Sequence, residues 1–222
     1  GLALVTLLAA VSTTGAISSE REAQTWDVLM TVPLSGAHIL ASKILASAWR
    51  IAIPIGVLML HFVAAALLGH IRPFDVALIP LVLASVAAFY LATGLLFSMI
   101  FKKIITAVAC NIILVITLWA AIPIAALILM AVVFDSSRRA EEIIGTAVFV
   151  YHPAAMLAGL LQHAIDAGPG SWNVDYRLAD EQVGLPIFAI ALAGNAAAHL
   201  LGAALAFALT LRVFHARGGR SS

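Results

Sequence analysis

The sequence predicts an all-α fold, a polytopic bundle of transmembrane helices, and three observations carry that reading. Of its 222 residues, 63% are hydrophobic and only 10% are charged, where an ordinary soluble domain carries about 25% charge. The mean hydropathy is +1.09. With aromatic residues at 8%, the apolar character resides in runs of Ala, Leu, Ile and Val, the composition of helices solvated by lipid. Those runs number five, four of them at or above the roughly 20 residues that a span requires. A single transmembrane domain over residues 1–222 is expected.

The first run, Gly1–Ile17, is at the short limit for a span and reads as a helix whose beginning is cut off. A polar stretch, Ser18–Lys43, leads to the second run, Trp49–Gly69, and the turn His70-Ile-Arg-Pro-Phe-Asp75 leads to the third, Val76–Phe101. Lys102-Lys103 separates it from Ile104–Phe134. As one helix that run would be about 46 Å long, so it must tilt, kink at Pro123 or protrude. The last run, Pro186–Val213, ends in a basic tail. Between them lies Asp135–Gly184, whose apolar middle, Glu141–Ile165, is broken at His152-Pro153. It reads as a broken helical hairpin that dips into the membrane from outside or lies on its surface.

Basic residues orient the spans, because cytoplasmic loops near span ends are enriched in Lys and Arg. With Ser18–Arg50, Lys102-Lys103 and the C-terminal tail on the cytoplasmic side, that side holds eight bases against Glu20, Glu22 and Asp27. The opposite side holds Arg72, Arg138, Arg139 and Arg177 against eight acids. A cytoplasmic C-terminus and five visible spans place the visible N-terminus outside, so one missing span before Gly1, six in all, is expected. The compartment expected is a bacterial cytoplasmic (inner) membrane. Net charge is +1, which gives no electrostatic case for nucleic acid. Cys110 is the single cysteine, so neither an internal disulfide nor a cysteine cage for a metal can form.

The most informative stretch is residues 18–35, SSEREAQTWDVLMTVPLS. It reads as one short amphipathic helix between spans. Ser19 and Glu22 have capping-box spacing, Pro33 ends the helix, and Ser35 can cap the next. At 100° per residue Ala23, Trp26, Leu29, Met30 and Pro33 share a packing arc, while Glu20, Arg21, Gln24, Asp27 and Thr31 face the other way. The plain reading is a helix in the headgroup region with Trp26 as its anchor. Such helices are usually Lys- and Arg-rich, and the acid excess here points to a protein partner instead.

At Glu20, Arg21, Glu22, Thr25, Trp26, Asp27, Leu29, Met30, Pro33, Leu34 and Ser35 the chain resembles the type-2 ATP-binding-cassette (ABC) permeases, with Lys43 where that family often has Gly-Lys. It departs at Gln24 and Ser42, both often Gly there. The resemblance implies that the segment is a coupling helix docking on an ATPase subunit and that the chain is a permease subunit, expected to be an exporter. It also implies pairing with a second permease subunit as a homo- or heterodimer. Tyr151–Gly159 resembles the family's Pro-containing turn before the final span. No G-x-x-x-x-G-K-[ST] occurs, so the chain has no phosphate-cradling loop of its own. ATP and Mg would then be bound by the partner, leaving no cofactor and no catalytic residue in this chain.

Other polar and small residues have plainer readings. Asn195 and His199 share a face of the last span, and Asn111 lies in the fourth run. They could line a substrate path, but hydrogen bonding between helices is the simpler role. Gly194, Ala198, Gly202 and Ala206 form a small-residue stripe suited to close helix packing. His152, His163 and Asp166 could in principle face a metal, but Pro153 interrupts the helix that would align them, and no metal site is expected. Glu141-Glu142 beside Arg138-Arg139 reads as a self-paired helix end. The rival functions are a secondary transporter or channel, which usually places charges or broken helices at mid-membrane, and a membrane-embedded enzyme, which needs converging polar groups. The runs contain no Asp, Glu or Lys, and their two Arg, Arg50 and Arg212, sit at the outermost turns of the second and last runs rather than at mid-membrane, so both are less economical.

Overall fold

A computed structural model describes residues 2–31, 33–133, 147, 151–166, 175–178 and 181–217. Its spans are helical, as the composition requires. In order they are α1 (Leu2–Ser12), α2 (Ser18–Glu22), α3 (Trp26–Thr31), α4 (Gly36–Leu67), α5 (Pro73–Ile100), α6 (Ile104–Ile116), a π-helical turn (Thr117–Ala121), α7 (Ile122–Val133), α8 (Pro153–Asp166) and α9 (Leu185–Ala216). Among the described residues four helices are long and apolar enough to cross a membrane: Gly36–Leu67, Pro73–Ile100, Ile104–Leu129 and Pro186–Ala216. The first run is a shorter apolar helix, Leu2–Ser12.

Three boundaries depart from the expected ones. The second span begins at Gly36 rather than Trp49, because Ser35 caps it: the His38 N–H lies 3.4 Å from Ser35 Oγ, and helical polar residues then need no separate loop. At 32 residues this helix is about 48 Å long, against an apolar core of about 30 Å, so its Lys43 end extends beyond that core. The long fourth run continues through Pro123 and widens into a π turn just ahead of it. Pro123 has no N–H and its ring crowds the carbonyl one turn back, and an extra residue per turn relieves that crowding. In the segment before the last span, α8 follows the expected break at His152-Pro153. A two-stranded antiparallel hairpin then intervenes, β1 (Asp175–Leu178) paired with β2 (Glu181–Gly184), with Asp175 opposite Gly184. The part around Glu141-Glu142 and Arg138-Arg139 lies outside the described residues.

The chain forms two compact units: Gly1–Ile55 with Val86–Val115 and His199–Ser222, and Gly56–Ser85 with Ile116–Ala198. In the first, Ile17, Ile39, Leu40, Leu95, Met99 and Phe214 form the core, with Trp26, Leu29, Ile44, Phe207 and Leu211 against it. Its helices approach closely at glycines: a Cβ on Gly36 would stand 2.7 Å from the Phe214 ring, and one on Gly202 2.8 Å from the Phe89 ring. In the second unit, Ile71, Val76 and Ala164 pack with Met59, Phe62, Ala65 and Ala66.

Candidate functional site

The segment 18–35 is two short helices rather than one. α2 ends at Glu22, and Gln24 adopts φ 58° before α3 starts at Trp26. A left-handed residue breaks the helical phase, so the single arc drawn through 18–35 does not form. Glycine takes this conformation without the Cβ penalty, which gives a physical reason for the Gly that often stands at this position in the resembling permeases.

The expected capping box is also absent. Ser19 Oγ donates to Gly15 O within the preceding turn. The start of α2 is served instead by a residue of α5: Ser98 Oγ accepts the N–H groups of Ile17 at 2.8 Å and Ser18 at 2.9 Å. Glu22, freed from the box, accepts the N–H of Ile104 at 2.9 Å and so caps α6.

The other charges of α2 are likewise engaged within the chain. Glu20 pairs with Lys43 at 3.0 Å and accepts the Thr25 hydroxyl. The Thr25 hydrogen bond and, next, Lys43 hold its carboxyl below the usual glutamate range. Arg21 donates to Met99 O at 2.8 Å and lies over the Trp26 ring, 4.9 Å from its centroid. Burial, then the neighbouring Arg217, lowers its pKa from the ordinary arginine value. Arg217 donates to the same Met99 carbonyl and to Ile100 O. Trp26 meets Phe214 edge-on at 5.7 Å.

What remains facing outward differs from the expected polar face. Trp26 and Leu29 pack inward, whereas Ala23, Gln24, Thr25, Asp27, Thr31 and Pro33 are exposed. Val28 and Leu34 are exposed at 66% and 51%. The side chain of Met30 lies outside the described residues. α3 therefore presents Val28 and the Asp27 carboxylate to its surroundings, and Leu34 adds a second apolar side chain just beyond its end.

Asn111 is buried and fully engaged. Its Nδ2 donates to Ala10 O at 2.7 Å and Tyr90 O at 3.2 Å, and its Oδ1 accepts Thr93 Oγ1–H at 2.9 Å. It thus holds α1, α5 and α6 together. Asn195 donates to Tyr151 O at 3.0 Å, and His199 meets Phe89 edge-on at 5.9 Å. Gly202 and Ala206 of the small-residue stripe face inward, while Gly194 and Ala198 are exposed. His152 and His163 take separate partners. His152 Nε2 lies 3.1 Å from Trp119 O. His163 Nδ1 lies 3.0 Å from Asp75 Oδ2, with Arg72 Nε 3.7 Å from the same oxygen. Among the described residues no three His, Cys, Asp or Glu side chains converge as metal ligands would. The Arg72–Asp75–His163 cluster has no local sequence signal, because Asp75 and His163 are 88 positions apart.

A family model described as "ABC-2 family transporter protein" matches residues 2–218. The chain belongs to this family. It is an ABC transporter membrane protein of the ABC-2 type, which agrees with the resemblance at residues 20–35 and with the run of spans. No curated protein matches it.

Proposed function

We propose that this ABC-2 chain is the permease subunit of an ATP-driven exporter, paired with a second permease subunit and driven by separate ATPase subunits that bind ATP and Mg. Its C-terminus and the segment 18–35 lie on the cytoplasmic side, where Lys43, Lys102, Lys103 and Arg217 gather. The observation that carries the reading is the outward face of α3 and the bend after it: Asp27, Val28 and, beyond the helix, Leu34 are exposed, while Trp26 and Leu29 anchor α3 to the core of α5 and α9. An exposed apolar pair beside a carboxylate, on a backbone pinned from behind, suits a protein groove better than an anionic leaflet.

Force applied at α3 reaches the spans through Trp26 and Leu29, and rigid displacement of helices is how two arrangements of a transport path interconvert. The chain's own part is positional, since ATP is hydrolysed elsewhere. The test is co-purification of the full chain with the ATPase encoded beside it, comparing wild type with a Val28→Asp/Leu34→Asp double variant. Loss of the ATPase in the variant alone is expected. Absence of any ATPase from the wild type would sink the reading and favour a secondary transporter.

A further inference from the structure

Glu20, Arg21 and Glu22 are consecutive, so on a helix they fan out at 100° intervals, and each meets a different long helix. Glu20 reaches Lys43 of α4. Arg21 reaches the Met99 carbonyl at the end of α5. Glu22 reaches the Ile104 amide at the start of α6. The last two contacts match the helix dipoles: a cation sits on the carbonyl end of α5 and an anion on the amide end of α6. These ends are joined by residues 101–103 alone, so Arg21 and Glu22 clamp both sides of one corner. Arg217 adds a second cation on the Met99 carbonyl.

From this we infer that the Glu20-Arg21-Glu22 triplet is a linkage inside the permease, and that the partner is met by α3 with Leu34 just beyond it. The inference rests on the reading of α3 as an ATPase contact. The triplet residues are positioning residues: they make α2 and the α5–α6 corner move as one piece when α3 is displaced. A glutamate that caps Ile104 N–H needs an acceptor oxygen at that place, whereas a glutamate that docks on a cationic groove of the partner needs its charge. Glutamine separates the two, because it keeps the oxygen and loses the charge.

The experiment uses the full chain with its ATPase, reconstituted in lipid vesicles, in wild-type, Glu22→Ala, Glu22→Gln and Val28→Asp forms. Two quantities are read: ATPase retained per permease, and the ATP hydrolysis rate of the assembled complex. Glu22→Ala is expected to retain the ATPase within about twofold while the hydrolysis rate falls about tenfold, the scale of one charge-assisted hydrogen bond. Glu22→Gln restores most of that rate, and Val28→Asp loses the ATPase. Loss of the ATPase in both Glu22 variants overturns the inference, as does a Glu22→Ala rate equal to wild type or a defect that glutamine does not rescue. If Glu22→Ala does not fold, the glutamine form decides alone: wild-type behaviour supports the linkage and loss of either quantity overturns it. A wild-type chain that carries no ATPase fails the proposed function itself, and is thereby distinguishable from failure of the linkage.

Discussion

The imidazole of His152 takes hold of the carbonyl of Trp119, with Nε2 3.1 Å from the oxygen. The α-helical partner of that carbonyl is residue 123, four positions on, and Pro123 has no N–H to give. The other ring nitrogen, Nδ1, accepts the Ala155 N–H at 3.4 Å and so caps α8, with Pro153 at its first helical position. Because Nδ1 accepts, Nε2 carries the proton that Trp119 O receives. The rings also meet edge-on at 5.5 Å. One side chain thus serves a carbonyl one turn before the proline of the α6–α7 span, in the π turn where the ladder shifts register, and starts the next helix.

Removing it should therefore cost more with the proline than without. His152→Ala is expected to destabilise the protein by about 1–2 kcal/mol, the cost of leaving a half-buried acceptor without its donor together with a lost cap. In a Pro123→Ala background the carbonyl regains an N–H one turn on, and the cost of His152→Ala should fall toward that of the cap alone. A double-mutant cycle on unfolding midpoints in detergent measures the difference; additivity of the two substitutions would contradict the compensation.

Gly94 is where α5 lies against α1 and α6. A Cβ there would stand 2.3 Å from Thr13 Oγ1 and 3.0 Å from Asn111 Nδ2. Neither neighbour can yield freely, since Thr13 donates to Leu91 O at 2.8 Å and Asn111 is held by three hydrogen bonds. Gly94→Ala should cost about 1–3 kcal/mol by overpacking. Adding Thr13→Ala should recover part of that loss, measured by thermal unfolding.

Glu20 gives the 18–35 segment a defined response to acid. Its carboxyl is held low by Thr25 and then by Lys43, so the folded state favours the charged form. That contribution is fully present above the ordinary glutamate pKa, about 4.3, and is lost as pH falls through the lower folded value. The pair is roughly a quarter exposed on each side, which limits it to under about 1 kcal/mol. Fluorescence of Trp26, packed on Phe214, should hold steady down to about pH 4 and change only below it. A Glu20→Gln variant should show no such transition; a wild-type change already complete by about pH 5 would contradict the assignment.

The spans were legible because lipid demands one thing of a sequence, an apolar run long enough to cross, and Val76–Phe101 and Ile104–Phe134 state it directly. Pro123 marked the irregularity in the fourth span and Ser35 the cap of the second for the same reason: each acts on backbone within about a turn of itself. The segment 18–35 was legible in composition and not in shape. Its helical wheel assumed an unbroken period, and a left-handed Gln24 leaves no local mark, since glycine is the usual sign of that conformation. The absent capping box shows the same limit. Ser19 and Glu22 have the right spacing, but Ser98, 80 positions away, supplies the cap, and Glu22 is drawn to an amide 82 positions on. Trp26 and Leu29 lie inward as the wheel placed them, while Ala23 and Pro33 of the same arc are exposed because the phase breaks.

Asp75 is a residue whose loss should be felt strongly among the described residues of the second unit. It sits in the first turn of α5, 1% exposed, beside Arg72 at 7%, and meets His163 of α8. Arg72 also donates its backbone N–H to Ala164 O at 3.0 Å, so the cluster joins two chain segments through both side chain and main chain. Truncating one partner of a buried ion pair removes the main compensation of the other charge, at a cost of up to about 3–5 kcal/mol. Asp75→Ala should approach that range. His163→Ala should cost less, because the Arg72–Asp75 pair survives it. Arg72→Met/Asp75→Leu should recover much of the loss, since replacing a buried pair by apolar groups is often neutral. Unfolding midpoints of the three variants decide it: a double variant no better than Asp75→Ala would show that the pair sets the position of α8 rather than merely neutralising its own charge.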